Sequence, residues 1–221
     1  MLRGAFLVLS LLSWSGTAWG GAVVDATGRS VTVPEQSARV LPAGPPAAIP
    51  LAVVAPDLMF GWPSSLSDEA RSSLAPEAAN LPRVPQLTRR DDVIDKIAAL
   101  KPDLILDYGT VSPRYADLTK TTQRRTGIPT LVLDGSLSHI PDVLRLLGSI
   151  LHREQRAEIL ARFSEALLAL SQRPATLGLA WLGGGDPRTL ATRFNAVVYG
   201  RALTTASEVD ALIGGAHSMQ P

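Results

Sequence analysis

Chemistry needs particular side chains at particular spacings, and this chain offers few of them. Its three histidines, His139, His152 and His217, are too scattered to suggest a metal site, and His152 at a predicted helix end is explained by the helix dipole. There are no cysteines, which excludes a thiolate nucleophile, a Cys zinc site, a disulfide framework and a lipid-anchored cysteine. No G-x-S-x-G elbow, P-loop or H-E-x-x-H pattern occurs, and Gly183-Gly184-Gly185-Asp186 lacks the spacing and the helix of a dinucleotide site. Asp103 and Asp107 flank an apolar run with no partner base evident. No residue is nominated as catalytic or as a metal ligand, and the expectation is a protein that is not an enzyme.

The remaining polar and aromatic residues suit binding. Arg89 and Arg90 offer guanidinium forks for the carboxylate or catecholate oxygens of an anionic chelate, although an ordinary solvated pair reads equally well. Trp62, Tyr108 and Trp181 provide flat walls suited to a flat ligand, against the plainer reading of each as a core or rim aromatic. The Tyr108 phenolate has the chemistry to ligate ferric iron.

A frame must position these groups. Val23 to Val33 reads as a β-hairpin around Gly28, stopped by Pro34. Arg39-Val40-Leu41 is a short strand, Ala47 to Ala55 a buried helix with an uncertain start at Pro50, and Leu58 to Trp62 a further strand. Asp91 to Leu100 carries Val93, Ile94, Ile97 and Leu100 at helical spacing with acids in its first turn. Leu104-Ile105-Leu106 is a strand without alternation, as expected when helices cover both faces of a parallel sheet. A helix over Tyr115 to Arg125, a turn at Gly127-Ile128-Pro129, a strand over Thr130 to Leu133 and a helix over Pro141 to Leu151 continue the rhythm. Glu154 to Leu170 is a long amphipathic helix without Gly or Pro. The fold class is therefore α/β, with a Rossmann-like parallel-sheet lobe.

Such sheets bind ligands at the carboxyl ends of their strands. Those ends are Pro42-Ala43-Gly44-Pro45, Gly61-Trp62-Pro63, Asp107-Tyr108-Gly109-Thr110 and Asp134-Gly135-Ser136. Gly44, Pro45, Trp62, Arg89, Arg90, Tyr108 and Trp181 are the candidate ligand residues.

The first twenty residues carry Arg3, an apolar run from Gly4 to Leu12, and small residues at Ala18 and Gly20, the pattern of a secretory signal peptide cleaved before Gly21. The apolar run is shorter than the ~20 residues of a spanning helix, so no stable membrane insertion is expected after cleavage. The chain has 21 basic and 20 acidic residues. That balance offers no basic stripe for nucleic acid.

Three stretches then point to one family: Ile97-Ala98-Ala99-Leu100-Lys101-Pro102-Asp103-Leu104-Ile105-Leu106, Thr126-Gly127-Ile128-Pro129-Thr130-Leu131-Val132-Leu133-Asp134, and Leu147-Gly148 followed by Glu154-Gln155-Arg156-Ala157. In order and separation they resemble the periplasmic substrate-binding proteins of ABC importers for iron-siderophore, haem and cobalamin. The resemblance implies a periplasmic protein of two α/β lobes joined by a long rigid helix, which limits hinge motion. It also implies a ferric siderophore, haem or cobalamin as ligand and an ABC permease as partner. One acidic residue per lobe would dock on that permease: Glu77 on the first, and Glu208 or Asp210 on the second.

The organisation expected is a signal peptide over 1–20, an N-terminal lobe over 21–138, connecting helices over 139–173 and a partial C-terminal lobe over 174–221. About 45 residues follow the long helix, under the usual domain minimum, so the second lobe is expected to be incomplete. Leu167, Leu168, Leu170, Trp181 and Val197-Val198 should then form an exposed apolar patch. The alternative reading is a non-transport sensing or protein-interaction module built on the same lobe.

Overall fold

A computed structural model describes residues 19–171. The chain opens with an antiparallel hairpin, β1 (Trp19–Val24) and β2 (Ser30–Pro34), whose regular register runs from Ala22↔Thr32 to Val24↔Ser30. That ladder lies beyond the expected cleavage point. Gly28 sits in the turn at φ 79°, a left-handed conformation that glycine adopts without steric cost.

A parallel sheet follows in the order β3 (Val40–Pro42), β4 (Leu104–Gly109), β5 (Thr130–Asp134). On the free side of β3, the segment expected as a strand over Leu58 to Trp62 contributes only isolated bridges, Val40↔Met59 and Trp62↔Arg83. Pro63 and the turns after it leave no run of residues long enough to continue a ladder. The chain therefore moves from β3 through α1 (Pro45–Val54) to Met59 on one side, then through α2 (Asp68–Ser73), α3 (Pro76–Ala79) and α4 (Asp91–Ala99) to β4 on the other. This reversal is a topological switch point between the carboxyl ends of β3 and β4.

The helices cover both faces. Leu104, Leu106, Leu131 and Leu133 pack with α1, α6 (Ile140–Leu151) and α7 (Glu154–Ser171). Leu41 and Ile105 pack on the other face with Ile94 and Ile97 of α4 and with Leu118 of α5 (Pro113–Thr126). Alternate residues of one strand thus enter two different cores, which is why the strands read as continuous apolar runs.

Two seams fix the lobe. Gly148 lies against Ala157, where a Cβ on the glycine would collide with the alanine Cβ, so α6 and α7 close through their smallest residues. At the sheet edge, the hairpin turn caps β5: Ala26 N–H donates to Val132 O at 2.9 Å and Arg29 Nη2 to Thr130 O at 2.8 Å. An edge that would otherwise invite pairing by another chain is closed. No described helix is long and apolar enough to cross a membrane.

Candidate functional site

The switch point is built by one strand leaving another. The ladder between β3 and β4 ends with Ala43 N–H donating to Leu106 O at 2.8 Å. Gly44 then turns extended as the N-cap of α1, and Pro45 occupies the first turn, where its missing N–H is no loss. Leu106 and Tyr108 face β3, because amides on one strand alternate between neighbours. With β3 gone, the Tyr108 N–H has no strand partner, and Asp107 Oδ1 accepts it at 2.9 Å. Asp107 is 9% exposed and its carboxyl is pushed above the usual carboxylate range by burial, against the lowering effect of that one hydrogen bond.

The ends of β4 and β5 stay in contact through glycine. Gly135 N–H donates to Gly109 O at 2.8 Å, and a Cβ on Gly135 would come 2.7 Å from Gly109 Cα. Only glycine allows that approach. A Cβ on Gly109, by contrast, would meet nothing within 4 Å, so the strand end opens on that side.

Tyr108 is half-buried against the α1 and α6 core. Its phenol is pushed up by burial and then by the charge of Asp134, which opposes the phenolate form that ferric ligation requires. Asp134 accepts from Ser136 N–H at 2.9 Å and meets His139 Nδ1 at 2.8 Å. Hydrogen bonds from Ser136, and then His139, hold its carboxyl below the usual range. Asp134, Ser136 and His139 form a polar rim that sequence spacing does not single out, because it depends on the turn Leu137–His139 folding back.

The other candidates are dispersed. Sequence offers Trp62 as either a ligand wall or a core aromatic, and the structure shows the core aromatic. Its ring is 4% exposed within the core, and its indole N–H donates to Ala78 O at 2.8 Å. The helix α3 that covers it is too short to be foreseen. Arg89 donates to Asp117 at 2.8 Å and to Arg114 O at 2.7 Å. Arg90 pairs with Asp92, which it holds below the usual carboxylate range. Both arginines are exposed and engaged by their own chain. Glu77 is exposed in the first turn of α3. Trp181, Glu208 and Asp210 lie outside the described residues, as does the expected second lobe. Asp103 is structural: its Oδ2 accepts from Ala38 N–H at 2.7 Å and Arg39 N–H at 2.9 Å, tying the starts of β3 and β4.

A hollow of about 470 Å³ lined by Arg29, Lys120 and Arg124 lies at the start of β5, the wrong end of the sheet for a switch-point ligand. One of about 230 Å³ lies beside Asp134 and His139 at the carboxyl end. No group of three or more His, Asp or Glu among the described residues is arranged to hold a metal ion.

The fold of the lobe is similar to that of solved structures. The chain is similar to an ABC transporter solute binding protein from Sulfurospirillum deleyianum, with TM-score 0.57 and 22% identity over 69% of this chain and 50% of that one. The likeness is one of fold, over about half of that protein. A periplasmic solute binding protein from Veillonella parvula gives TM-score 0.51 and 24% identity over 68% and 47%. The molybdate periplasmic binding protein MolA of Haemophilus influenzae gives 0.50 and 18% over 77% and 56%. The chain thus spans about half the length of these solute-binding proteins. No family model matches the chain. No curated protein matches it either.

Proposed function

We propose that the chain captures a small solute in the periplasm, an iron complex (siderophore or haem) or a corrinoid, and delivers it to the permease of an ABC importer. The single observation that carries this reading is the opening at the switch point, where β3 splays from β4 at Gly44 and leaves Asp107, Tyr108 and Gly109 at the open end of a solute-binding fold. Binding needs no covalent chemistry. The apolar run after Arg3 supports export.

In this reading α7 is the rigid interlobe helix, anchored on the first lobe by its packing against α6. Glu77 supplies the acidic contact to permease arginines, partnered by Glu208 or Asp210. The ligand set is bounded by chemistry rather than by name. Because the structurally similar MolA binds molybdate, an oxyanion belongs among the solutes to be tried.

Native mass spectrometry of the protein recovered from its own periplasm tests this directly. A co-purifying mass matching a metal chelate or corrinoid is expected. Folded protein that carries no such mass, and shows no fluorescence response to ferric siderophores, haem, cobalamin or molybdate, would count against it.

A further inference from the structure

Asp107 is left over from every structural account of its neighbourhood. Its visible duty is to accept the orphaned Tyr108 N–H with one oxygen. Asparagine would do the same without burying a charge, since its amide oxygen also accepts. A carboxylate has room for about four hydrogen bonds, yet among the described residues no cation pairs with this one and no second donor reaches it. Nine-tenths of the residue is nevertheless withdrawn from water.

The surroundings say where the unused oxygen can be reached. Asp107 and Gly109 share a face of β4, two residues apart, and beyond Gly109 there is open space where a side chain would stand. The position is the point where β3 and β4 separate, the ligand side of such a sheet. The arginines expected to attract an anion are occupied by Asp117 and Asp92. Among the described residues, the open charge at this end is therefore negative.

We propose that Asp107 is a specificity-determining carboxylate that selects solutes presenting a protonated amine or another hydrogen-bond donor to the opening between β3 and β4. The inference rests on the solute-binding reading above for its biological meaning, but its chemistry is testable alone. A metal chelate with a pendant ammonium or hydroxyl group fits this site better than one that is anionic all round.

The test uses the full chain, labelled with ¹³C at aspartate and ¹⁵N at the backbone, titrated in methylammonium chloride and in tetramethylammonium chloride at equal ionic strength. The second cation has no N–H to donate. A donor that binds the ionised carboxylate lowers its apparent pKa, so the Asp107 midpoint should fall by about half a pH unit once methylammonium exceeds its dissociation constant severalfold, and should stay in place with tetramethylammonium. The Tyr108 and Gly109 amides should respond to methylammonium in the wild type and not in Asp107→Asn. Gly109→Leu, which fills the opening and leaves the carboxyl intact, should abolish the same response. An identical midpoint in the two salts, or amide responses that survive Asp107→Asn, overturns the proposal. If solute titrations fail while the methylammonium response persists, the metal-complex reading falls and the carboxylate assignment stands.

Discussion

Among the described residues two aspartates are buried, and they are treated in opposite ways. Asp25 at the hairpin turn is 4% exposed and saturated: it accepts from Thr27 N–H at 2.9 Å, Thr27 Oγ1 at 2.6 Å, Arg29 N–H at 3.1 Å and Arg29 Nη2 at 2.5 Å. Burial pushes its pKa up, and the combined bonds from Thr27 and Arg29 outweigh that and hold it below the usual range. Asp107 has one bond, and burial wins. A carboxylate meant only to hold the fold is surrounded with donors. One left short of donors at the open end of a sheet is a place where a ligand can supply them.

The largest expected effect separates the two. Asp25→Ala strands a largely buried Arg29 and removes the cap on the β5 edge, and should cost about 3 kcal/mol in urea unfolding. Asp107→Asn keeps an acceptor for Tyr108 and removes a poorly solvated charge, so it should be neutral or slightly stabilising. A larger loss from Asp107→Asn than from Asp25→Ala would break the comparison.

Glycine substitutions sharpen it next. Gly148→Ala drives a methyl into Ala157 at the α6–α7 seam and should lower stability by about 1–3 kcal/mol. Gly109→Ala enters open space and should change little. Thermal unfolding of the two variants side by side reads the difference between a packed seam and an open site.

The pH dependence has opposite signs at the two carboxylates. Asp25 has a lowered folded-state pKa, so its contribution is full above the unfolded value of about 3.9 and is lost as pH falls through the folded one. Asp107 has a raised folded-state pKa, so folding favours its neutral form: its contribution is full below about pH 3.9 and lost as pH rises through the raised value. Asp107→Asn should therefore gain on the wild type as pH rises from about 4, and the two curves should converge below it. Stability measured across roughly pH 3 to 7 checks this, and curves that run parallel throughout contradict it.

The smallest effect belongs to the surface. Arg89→Ala loses an exposed pair with Asp117 and should cost under about 1 kcal/mol.

Most of the frame was legible in the sequence because its periodicities are strong. The hairpin around Gly28, the helix from Asp91, the strands at Leu104 and Thr130 and the long helix from Glu154 all form where the pattern puts them. Gly127, expected as a turn, caps α5 at φ 72°. The stretch from Pro63 to Arg90 was not legible, because α2 and α3 are too short to show a period and are set by tertiary contacts. Trp62 was left between two readings for the same reason: a strand-end aromatic faces ligand or core according to what covers it, and its indole is tied to Ala78 in the core. Tyr108 and Gly44 were nominated from strand ends, and they lie at the ends of β4 and β3. Asp107 was legible as part of a strand end flanking an apolar run but was not nominated as a ligand residue, since its single hydrogen bond depends on β3 leaving at Pro42. Of the apolar patch expected around α7, Leu167 is 45% exposed, while Trp181 and Val197-Val198 lie outside the described residues.

The central claim, that solute binds where β3 and β4 part, is tested most directly by paramagnetic broadening. The ¹⁵N-labelled full chain is titrated with ferric siderophores and haem, whose iron relaxes nearby amides. Gly44, Tyr108, Gly109 and Gly135 are expected to broaden first while Ala26 and Val132 at the capped edge persist. Broadening centred on the hairpin edge, or none at any amide, would contradict it.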